Sequence, residues 1–582
     1  MGILKYIKKL GRKGMVLPLV LTYATVFAAA LAGLSEYASH TQRLVQSQQN
    51  YLKAFYLGEA ATEKAVAAVQ NYIATNGTVP DAATLTTITQ TPNVSSSYVT
   101  YSAASVGTIT TAWSNKTLSA GDYSGLSGSA ETLTLSATTN DSVGGVDHST
   151  VVTQTLEVQL IPIFQFGVFY QEDLEILPGA NLTFAGPVHT NGSLYVGNDS
   201  AGTSTSFDSS ITAYGDIIHG RKDGGSIASG AVNIKDNNGT YQPMLSGGSW
   251  LDSNASDWST ESQSRWTTNV KSGVHGVKAL TLPIPAASNP HALIERRLAG
   301  DSAQVQTQKM DYKAHLRVID GVVTNQAGST VELRYCSGGA TYSGSCPGGQ
   351  SVVNPISSTT FKNFRENKTA YSTDIDIAKL NSSPAFQTLV SANNGVVLYF
   401  SDRRNTGSST KQDSVRLVNG STLPTKGLTV ASENPMYVKG DYNTVSKKPS
   451  GLVSDAFNIL SNAWSDANST NTNLTGKTAS NTTVQSAVIT GNLDTTTGQY
   501  NGGFENIHRL HEKWSSKTLT FKGSVAVLYN STVATGAWVY GGNYYTAPSR
   551  VWSFDTDLSS PSYTIPGLPS VYNVTKSGYE AT

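Results

Sequence analysis

The sequence predicts an α+β protein in which one long N-terminal helix precedes a mainly β chain. An uncharged apolar run at 15–34 is followed by apolar residues at helical steps of three and four. After Pro162, short apolar strands alternate with Gly or Asn turns, which is typical of a parallel β-helix-like solenoid; a β-sandwich is the structural alternative. With 582 residues the chain exceeds one hydrophobic core, so at least two domains are expected.

The N-terminal segment 1–14 carries five Lys or Arg residues and no acid. The segment 15–34 that follows has the length a helix needs to cross a bilayer, about 20 residues. Basic residues stay cytoplasmic, so everything after residue 34 is expected outside. Ala32 and Gly33 form a poor signal-peptide cleavage site, which places any processing signal before the run. A generic signal anchor with a helical stalk is the alternative.

Beyond the membrane segment the helix is expected to continue as an amphipathic element. Pro18 falls in its first turn, where a missing N–H costs nothing. Asn76 and Gly77 provide a stop signal. One helix over 15–76, roughly 90 Å long, is therefore predicted. The apolar residues of its second half are Leu44, Tyr51, Leu52, Phe55, Ala65, Val66, Val69 and Tyr72.

Two β regions are expected after the helix. Segment 77–160 is rich in Thr, Ser and Val in alternating stretches, which indicates antiparallel strands packed as a headpiece on the helix. Segment 161–582 carries the solenoid pattern and is predicted to form a large β-domain. Its Gly/Ser/Asn-rich part, about 223–372, is predicted to form insertions on the solenoid face.

The charge balance argues against nucleic acid as a partner. The chain has 40 basic and 40 acidic residues, so no overall field attracts a polyanion. Its 53 glycines and its Ser/Thr/Asn stretches are typical of exported β-rich surface proteins.

The two cysteines, Cys336 and Cys346, flank a Gly/Ser turn. In an oxidising compartment they are expected to form a structural disulfide, since two thiols cannot complete a zinc site.

Two segments near the N-terminus resemble known pilus proteins. The basic leader that ends in Gly14, directly before an apolar helix, resembles a type IV prepilin. The segment AFYLGEAATEKAV (54–66) resembles the corresponding segment of PilX-type pilus assembly proteins. Several C-terminal segments look like the region that often follows a PilX-type N-terminus: 427–443, 454–469, 502–514, 523–531, 543–558 and 565–569.

The resemblance implies a processing site, partners and a location. Prepilin peptidase would cut between Gly14 and Met15, and the new amino group of Met15 would be methylated. Leu19 stands where the main filament subunits have Glu, which favours a minor pilin or an assembly factor. The implied partners are prepilin peptidase, the membrane and other pilins or pilus assembly proteins. The implied location is the inner membrane before assembly, single-pass with the bulk extracytoplasmic, and then a pilus or the cell surface.

Four histidines near acidic residues are candidates for catalytic or metal sites. His508 and His511 are spaced by three rather than the four of a zinc-protease helix, so a short surface helix is expected there. His189 and His219 precede Gly turns and could stack on adjacent coils near acids and bases: Asp173, Asp216 and Arg221. A β-helix polysaccharide lyase would need clustered carboxylates, for which the sequence has no signature. No catalytic residue, cofactor or metal is predicted.

An aromatic segment follows near the C-terminus, where it is expected to cap the solenoid's open end; stacking on sugars or on a partner protein is the alternative. Its aromatic residues are Trp538, Tyr540, Tyr544, Tyr545 and Trp552.

Taken together, these features predict a non-enzymatic, membrane-anchored, type IV pilus-related assembly protein or minor pilin-like surface protein. A surface glycan is a further candidate ligand. The alternative is a membrane-anchored carbohydrate-active enzyme or glycan-binding module on a β-helix.

Overall fold

The computed structural model describes residues 16–90, 99–100, 106–119, 121–141, 148–227, 229–539, 544–560 and 562–582. Its helices are α1 (Val16–Asn76), α2 (Ala82–Thr89), α3 (Trp258–Trp266), α4 (Ala303–Gln308), α5 (Met310–Lys313), α6 (Ile377–Asn381) and α7 (Pro384–Ala392).

The strands up to residue 336 are β1 (Val99–Thr100), β2 (Val106–Thr117), β3 (Ser127–Asp141), β4 (His148–Pro162), β5 (Val168–Tyr170), β6 (Leu174–Ile176), β7 (Leu182–Phe184), β8 (Val188–Thr190), β9 (Leu194–Val196), β10 (Ser204–Phe207), β11 (Ile211–Ala213), β12 (Ile217–His219), β13 (Ala231–Lys235), β14 (Tyr241–Pro243), β15 (Leu245–Ser246), β16 (Ser249–Trp250), β17 (Val270–Lys271), β18 (Leu316–Ile319), β19 (Val322–Asn325) and β20 (Tyr335–Cys336).

The strands after residue 336 are β21 (Val352–Val353), β22 (Ile356–Asn363), β23 (Lys368–Asp376), β24 (Val396–Ser401), β25 (Lys411–Val418), β26 (Leu428–Ser432), β27 (Met436–Lys439), β28 (Ser450–Ser454), β29 (Phe457–Leu460), β30 (Thr482–Asn492), β31 (Arg509–Leu510), β32 (Thr518–Asn530), β33 (Ser549–Phe554) and β34 (Ser570–Ala581). A long N-terminal helix followed by a mainly β chain confirms the predicted α+β class.

The predicted long helix is present throughout its described part, as α1. It ends where the sequence places a stop: Gly77 takes the left-handed φ of 62° and its N–H donates to the carbonyl of Ile73 at 2.7 Å. Its second half lies on the head sheet, the sheet formed by β1 to β4 and β34. Its buried residues are Asn50, Ala54, Gly58, Ala61, Thr62, Ala65, Val66, Val69 and Ile73.

The head sheet is antiparallel and includes the last strand of the chain. Strand β3 pairs with β2 and β4, and β34 pairs with the other edge of β4, from Ser570 opposite Pro162 to Ala581 opposite Val152. From the sequence, 570–581 is expected in the large β-domain, whereas the structure places this strand in the head. The partner of β34 is more than 400 residues away in the chain, so local sequence patterns carry no signal for the pairing.

After the head, nine short strands, β5 to β13, pair in parallel in three groups of three strands. Strands β5, β8 and β11 pair in one sheet, with Val168 opposite Val188 and Val188 opposite Ile211. Strands β6, β9 and β12 form a second sheet, and β7, β10 and β13 a third. Each passage of the chain thus adds one strand to each of three sheets.

The C-terminal half repeats this arrangement with two long parallel sheets. One contains β24, β26, β28, β30 and β32, and the other contains β23, β25, β27, β29 and β31. The chain alternates between these two sheets, so each strand pairs with the strand two places later in the sequence. Leu428 of β26 thus lies opposite Ser450 of β28, and Met436 of β27 lies opposite Phe457 of β29. The two halves join where β5 pairs in parallel with β32, which creates one twelve-stranded sheet that the chain enters in its middle.

Strands β24, β26 and β28 of the twelve-stranded sheet are buried on both faces, which explains why they read as mainly apolar runs. In β24, Leu398 faces the core between the sheets, while Val397 and Tyr399 face the outer side. The outer side is covered by segment 272–315, which returns the chain from β17 to β18. Part of the region predicted as face insertions therefore forms a core layer, with Leu280, Leu282, Ile284, Leu293 and Ile294 all buried.

Candidate interaction surfaces

The N-terminal part of α1 projects from the rest of the described structure. No side chain from Val16 to Gln49 is buried, and Asn50 is the first that is. Leu17, Phe27 and Leu31 are 72, 69 and 55% exposed. The helix contains a window long and apolar enough to cross a membrane, none of it buried. This arrangement is compatible with a single-pass membrane anchor.

Two threonine hydroxyls of this projecting part are satisfied within the helix. The hydroxyls of Thr22 and Thr25 donate to the carbonyls of Pro18 and Thr22, at 2.7 and 2.9 Å. No charged residue occurs before Glu36 in the described helix. An apolar surrounding requires polar groups to be paired internally, so this stretch fits lipid or other apolar helices.

The second half of α1 is fixed to the head by close packing. A Cβ added at Gly58 would lie 2.7 Å from Cγ2 of Val152, so only glycine allows this approach of helix and sheet. The hydroxyl of Thr139 donates to the carbonyl of Ala54 at 2.9 Å. At the outer edge, the hydroxyl of Tyr579 donates to Glu59 at 3.0 Å. The projecting helix and the head therefore form one unit.

The predicted processing residues Gly14 and Met15 lie outside the described residues. Cys336 and Cys346 are bonded through their sulfurs, with Cα atoms 5.5 Å apart. Cys336 is buried in the two-stranded pair of β20 and β21, while Cys346 lies in the loop between them. The bond closes a short loop of the β-domain and contacts no candidate functional residue.

His189 and His219 lie in different sheets and do not form a common site. The Nδ1 atom of His189 is 2.8 Å from the Thr212 hydroxyl and its Nε2 atom is 3.0 Å from Oδ1 of Asn191. The ring of His219 stacks on Trp250 with centroids 3.4 Å apart. Burial lowers the pKa of each imidazole to about 4, so both are neutral near neutral pH; His189 is fully buried and His219 is half-buried.

The charged residues expected beside these histidines have other partners. Asp173 forms an ion pair with Lys222 at 3.0 Å, and Arg221 forms one with Asp223 at 2.7 Å. Asp216 is exposed. No cluster of carboxylates forms around the two histidines in the described structure.

His508 and His511 are buried, and the helix expected around them is a 3₁₀ turn at Phe504–Asn506 followed by strand β31. His508 packs on Phe521 and Trp552, with centroids 4.5 and 4.8 Å away. Burial, aided by nearby guanidinium groups, lowers the pKa of both histidines to about 3. Among the described residues no group of three or more His, Cys, Asp or Glu could hold a metal.

The aromatic segment lies where the two halves of the β-domain meet, whereas capping of an open end was expected. Strand β33 pairs with β32, the strand that also pairs with β5. Trp552 packs edge-on against Phe504 at 5.0 Å, and Trp538 donates its indole N–H to the Tyr545 hydroxyl at 3.1 Å. Tyr540 lies outside the described residues.

Sequence reasoning missed a polar groove on the side of the β-domain. Its wider part, about 440 Å³ in volume, is lined by charged and amide side chains that include His291, Asp402, Asn405, Lys411, Gln412 and Glu433. An adjoining part of about 390 Å³ shares Asn405 and extends along β22 and β23 to Tyr371. The only local signal is the polar segment 402–413, which connects two buried strands.

The carboxylates of the polar groove are held by cations and amides. Glu433 accepts two hydrogen bonds from the Arg403 guanidinium, at 2.7 and 2.6 Å. Asp413 accepts from the backbone N–H and the side-chain amide of Asn405, at 2.7 and 2.6 Å. His291 lies 2.8 Å from Glu295. Each contact fixes an acceptor in place at the wall of the groove.

His291 is the charged centre at one end of this wall. Its Nε2 atom lies 3.2 Å from the buried carboxylate of Asp455, opposite Glu295. Burial alone lowers the pKa of His291, but the hydrogen bonds to Asp455 and Glu295 outweigh it and raise the pKa to about 9. The imidazolium is therefore retained at neutral pH, with its charge balanced inside the protein.

Comparisons with known proteins add a weak structural likeness. No protein-family model and no curated protein matches the chain. Among solved structures, the competence-associated pilin ComZ from Thermus thermophilus matches with 12% identity over 91% of this chain and 97% of that chain, at a TM-score of 0.26. Neither the identity nor the TM-score establishes a common fold or function.

Proposed function

We propose that this chain is a membrane-anchored, pilin-like protein, of the PilX-type minor pilin or assembly class, that acts through contacts and performs no catalysis. The observation that carries the proposal is the projecting, unburied part of α1, which is uncharged from Val16 to Ser35 and is fixed to a β-rich head. A β-domain built by stacking parallel strands, which we interpret as a solenoid, would be displayed on the far side of that head.

The exposed apolar side chains of α1 need a cover. Transfer of a Leu, Val or Phe side chain from water to an apolar surrounding is favourable by roughly 1.5–3 kcal/mol. Lipid would provide that surrounding in the inner membrane, and the helices of other pilins would provide it in an assembly. The basic leader 1–14 would hold the N-terminus in the cytoplasm, with the head and β-domain extracytoplasmic.

A charge in the projecting helix is expected to abolish both kinds of contact. Phe27→Arg places a guanidinium at the middle of the apolar stretch, at a cost of about 2.5–3.5 kcal/mol on insertion scales. The measurement is the fraction of protein in the membrane pellet, together with cross-linking to other pilins in cells. The matched control is Leu298→Arg, which changes an apolar residue that is 48% exposed on the β-domain. Equal membrane recovery and cross-linking for both variants would contradict the proposal.

Processing provides an independent prediction. Because the basic leader ends in Gly14 directly before the apolar helix, the mature chain is expected to begin at Met15 with a methylated amino group. A bulky residue, as in Gly14→Trp, is expected to block cleavage and leave the full-length precursor. Mass spectrometry of the N-terminal peptide distinguishes these products. An unprocessed wild-type chain, or cleavage near Gly33, would refute the prepilin assignment.

A further inference from the structure

We propose that the polar groove of the β-domain binds a neutral, hydroxyl-rich glycan chain. The groove is elongated, because its two parts share Asn405 and together run from His291 past β25 to Tyr371. Each part has the volume of an ordinary small-ligand site. An elongated groove suits a chain of sugar units better than a single small molecule.

An unsatisfied buried acceptor points to a ligand in the groove. Gln412 is only 3% exposed and contributes to the lining of the wider part. Its amide N–H donates to the carbonyl of Val533 at 3.0 Å, while its Oε1 atom has no hydrogen-bond partner among the described residues. A buried acceptor without a donor is costly, and a ligand hydroxyl would supply the donor.

The wider part of the groove is also lined by donors for a ligand. Lys368 and Lys411 belong to this lining, and neither forms an ion pair with an acid among the described residues. The ammonium of Lys411 instead lies 5.1 Å from the ring centre of Tyr371. Tyr371 offers the adjoining part an aromatic side chain, beside the hydroxyls of Ser358 and Thr360. Hydroxyl groups, each both donor and acceptor, match such a mixed lining.

The charges of the groove select against ionic ligands. Asp402, Asp413 and Glu433 repel a polyanion such as nucleic acid or a polyuronate, and each is already bonded inside the protein. Arg403 and Lys411 repel a metal cation. A neutral polyhydroxylated ligand accepts from the cations and donates to the fixed carboxylates without burying an unpaired charge.

The test is a binding titration of the detergent-solubilised full chain with defined oligosaccharides. The probes are maltoheptaose, cellohexaose, chitohexaose and a linear mannohexaose, with polygalacturonate and duplex DNA as anionic comparators. At least one neutral probe is expected to bind. The double substitution of Lys368→Ala and Lys411→Ala is expected to weaken that binding by about tenfold, a loss of two charged donors.

A second variant blocks the groove without removing any internal contact. Thr406 lines the groove and is exposed, so Thr406→Trp is expected to abolish binding while leaving the melting curve unchanged. Thr240→Trp, at an exposed turn elsewhere on the β-domain, is the matched control and is expected to bind as the wild type does. No binding of any neutral probe at millimolar concentration, tighter binding of an anionic comparator, or unchanged binding by Thr406→Trp would each overturn the proposal.

Discussion

Deletion of β34 is expected to open the head and release α1 from it. The strand covers the edge of β4 from Val152 to Pro162, and its Tyr572 and Val574 pack on the apolar cluster beneath α1, so without it both become exposed. On the other face of the strand Val571 is fully buried, and the Asn573 amide donates to Gln159 at 2.7 Å. Hydrogen exchange at β4 and at 54–73 measures the loss, which is expected to reach full exchange.

A pair of point variants separates this effect from chain truncation. Val571→Asp places an unpaired carboxylate in the apolar cluster on the face of β34 that is turned away from α1. It is expected to separate β34 from β4 and so to produce the same loss of protection. Ser577→Asp lies on an exposed position of the same strand and is expected to leave exchange unchanged. Wild-type protection of β4 in the Val571→Asp variant would show that β34 is dispensable for the head.

Replacement of Arg416 is expected to cause the largest single-residue loss of stability in the β-domain. Arg416 in β25 is 3% exposed and bonds both Asp374, at 3.1 Å, and Asp466, at 2.6 Å. Its guanidinium also lies over the Phe361 ring at 5.1 Å. Arg416→Met leaves a buried carboxylate unpaired, at a cost of about 3–5 kcal/mol.

The thermal midpoint of the solubilised protein, followed by near-ultraviolet circular dichroism, reports this loss. Arg334→Met is the control, because its ion pair with Glu332 is exposed on both sides and contributes about 0–1 kcal/mol. Adding Asp374→Asn to Arg416→Met is expected to recover part of the loss. Equal midpoints for the Arg416 and Arg334 variants would contradict the assigned role of Arg416.

The sequence predicted those parts of the fold whose signals are local. Helix α1 follows from its apolar spacing and from the Asn76–Gly77 stop. The segment around His508 was predicted as a helix because Ile507 and Leu510 fit a helical period over a few residues. In the structure, parallel pairing of Arg509 with Asn458 determines its conformation. A short apolar run is ambiguous until its partner strand is known.

The polar groove was beyond sequence reasoning for the same reason. Its lining comes from five separate parts of the chain, near residues 291, 368, 402–413, 433 and 532. Only the stacking of strands brings them together. The unsatisfied acceptor of Gln412 likewise depends on which neighbours surround it, and a lone glutamine in a sequence predicts no site.

The entry of the chain into the middle of the twelve-stranded sheet sets an order on folding. Strand β5 is synthesised early, but its neighbour β32 follows only after some 350 further residues. Until then the edge of β5 that will pair with β32 stays open. Contacts of such long sequence separation form slowly. The pairing of β34 with β4 in the head comes later still, because β34 follows β32 in the chain. The seam between β5 and β32 is therefore expected to close late, and an interrupted chain would present an unpaired, aggregation-prone edge there.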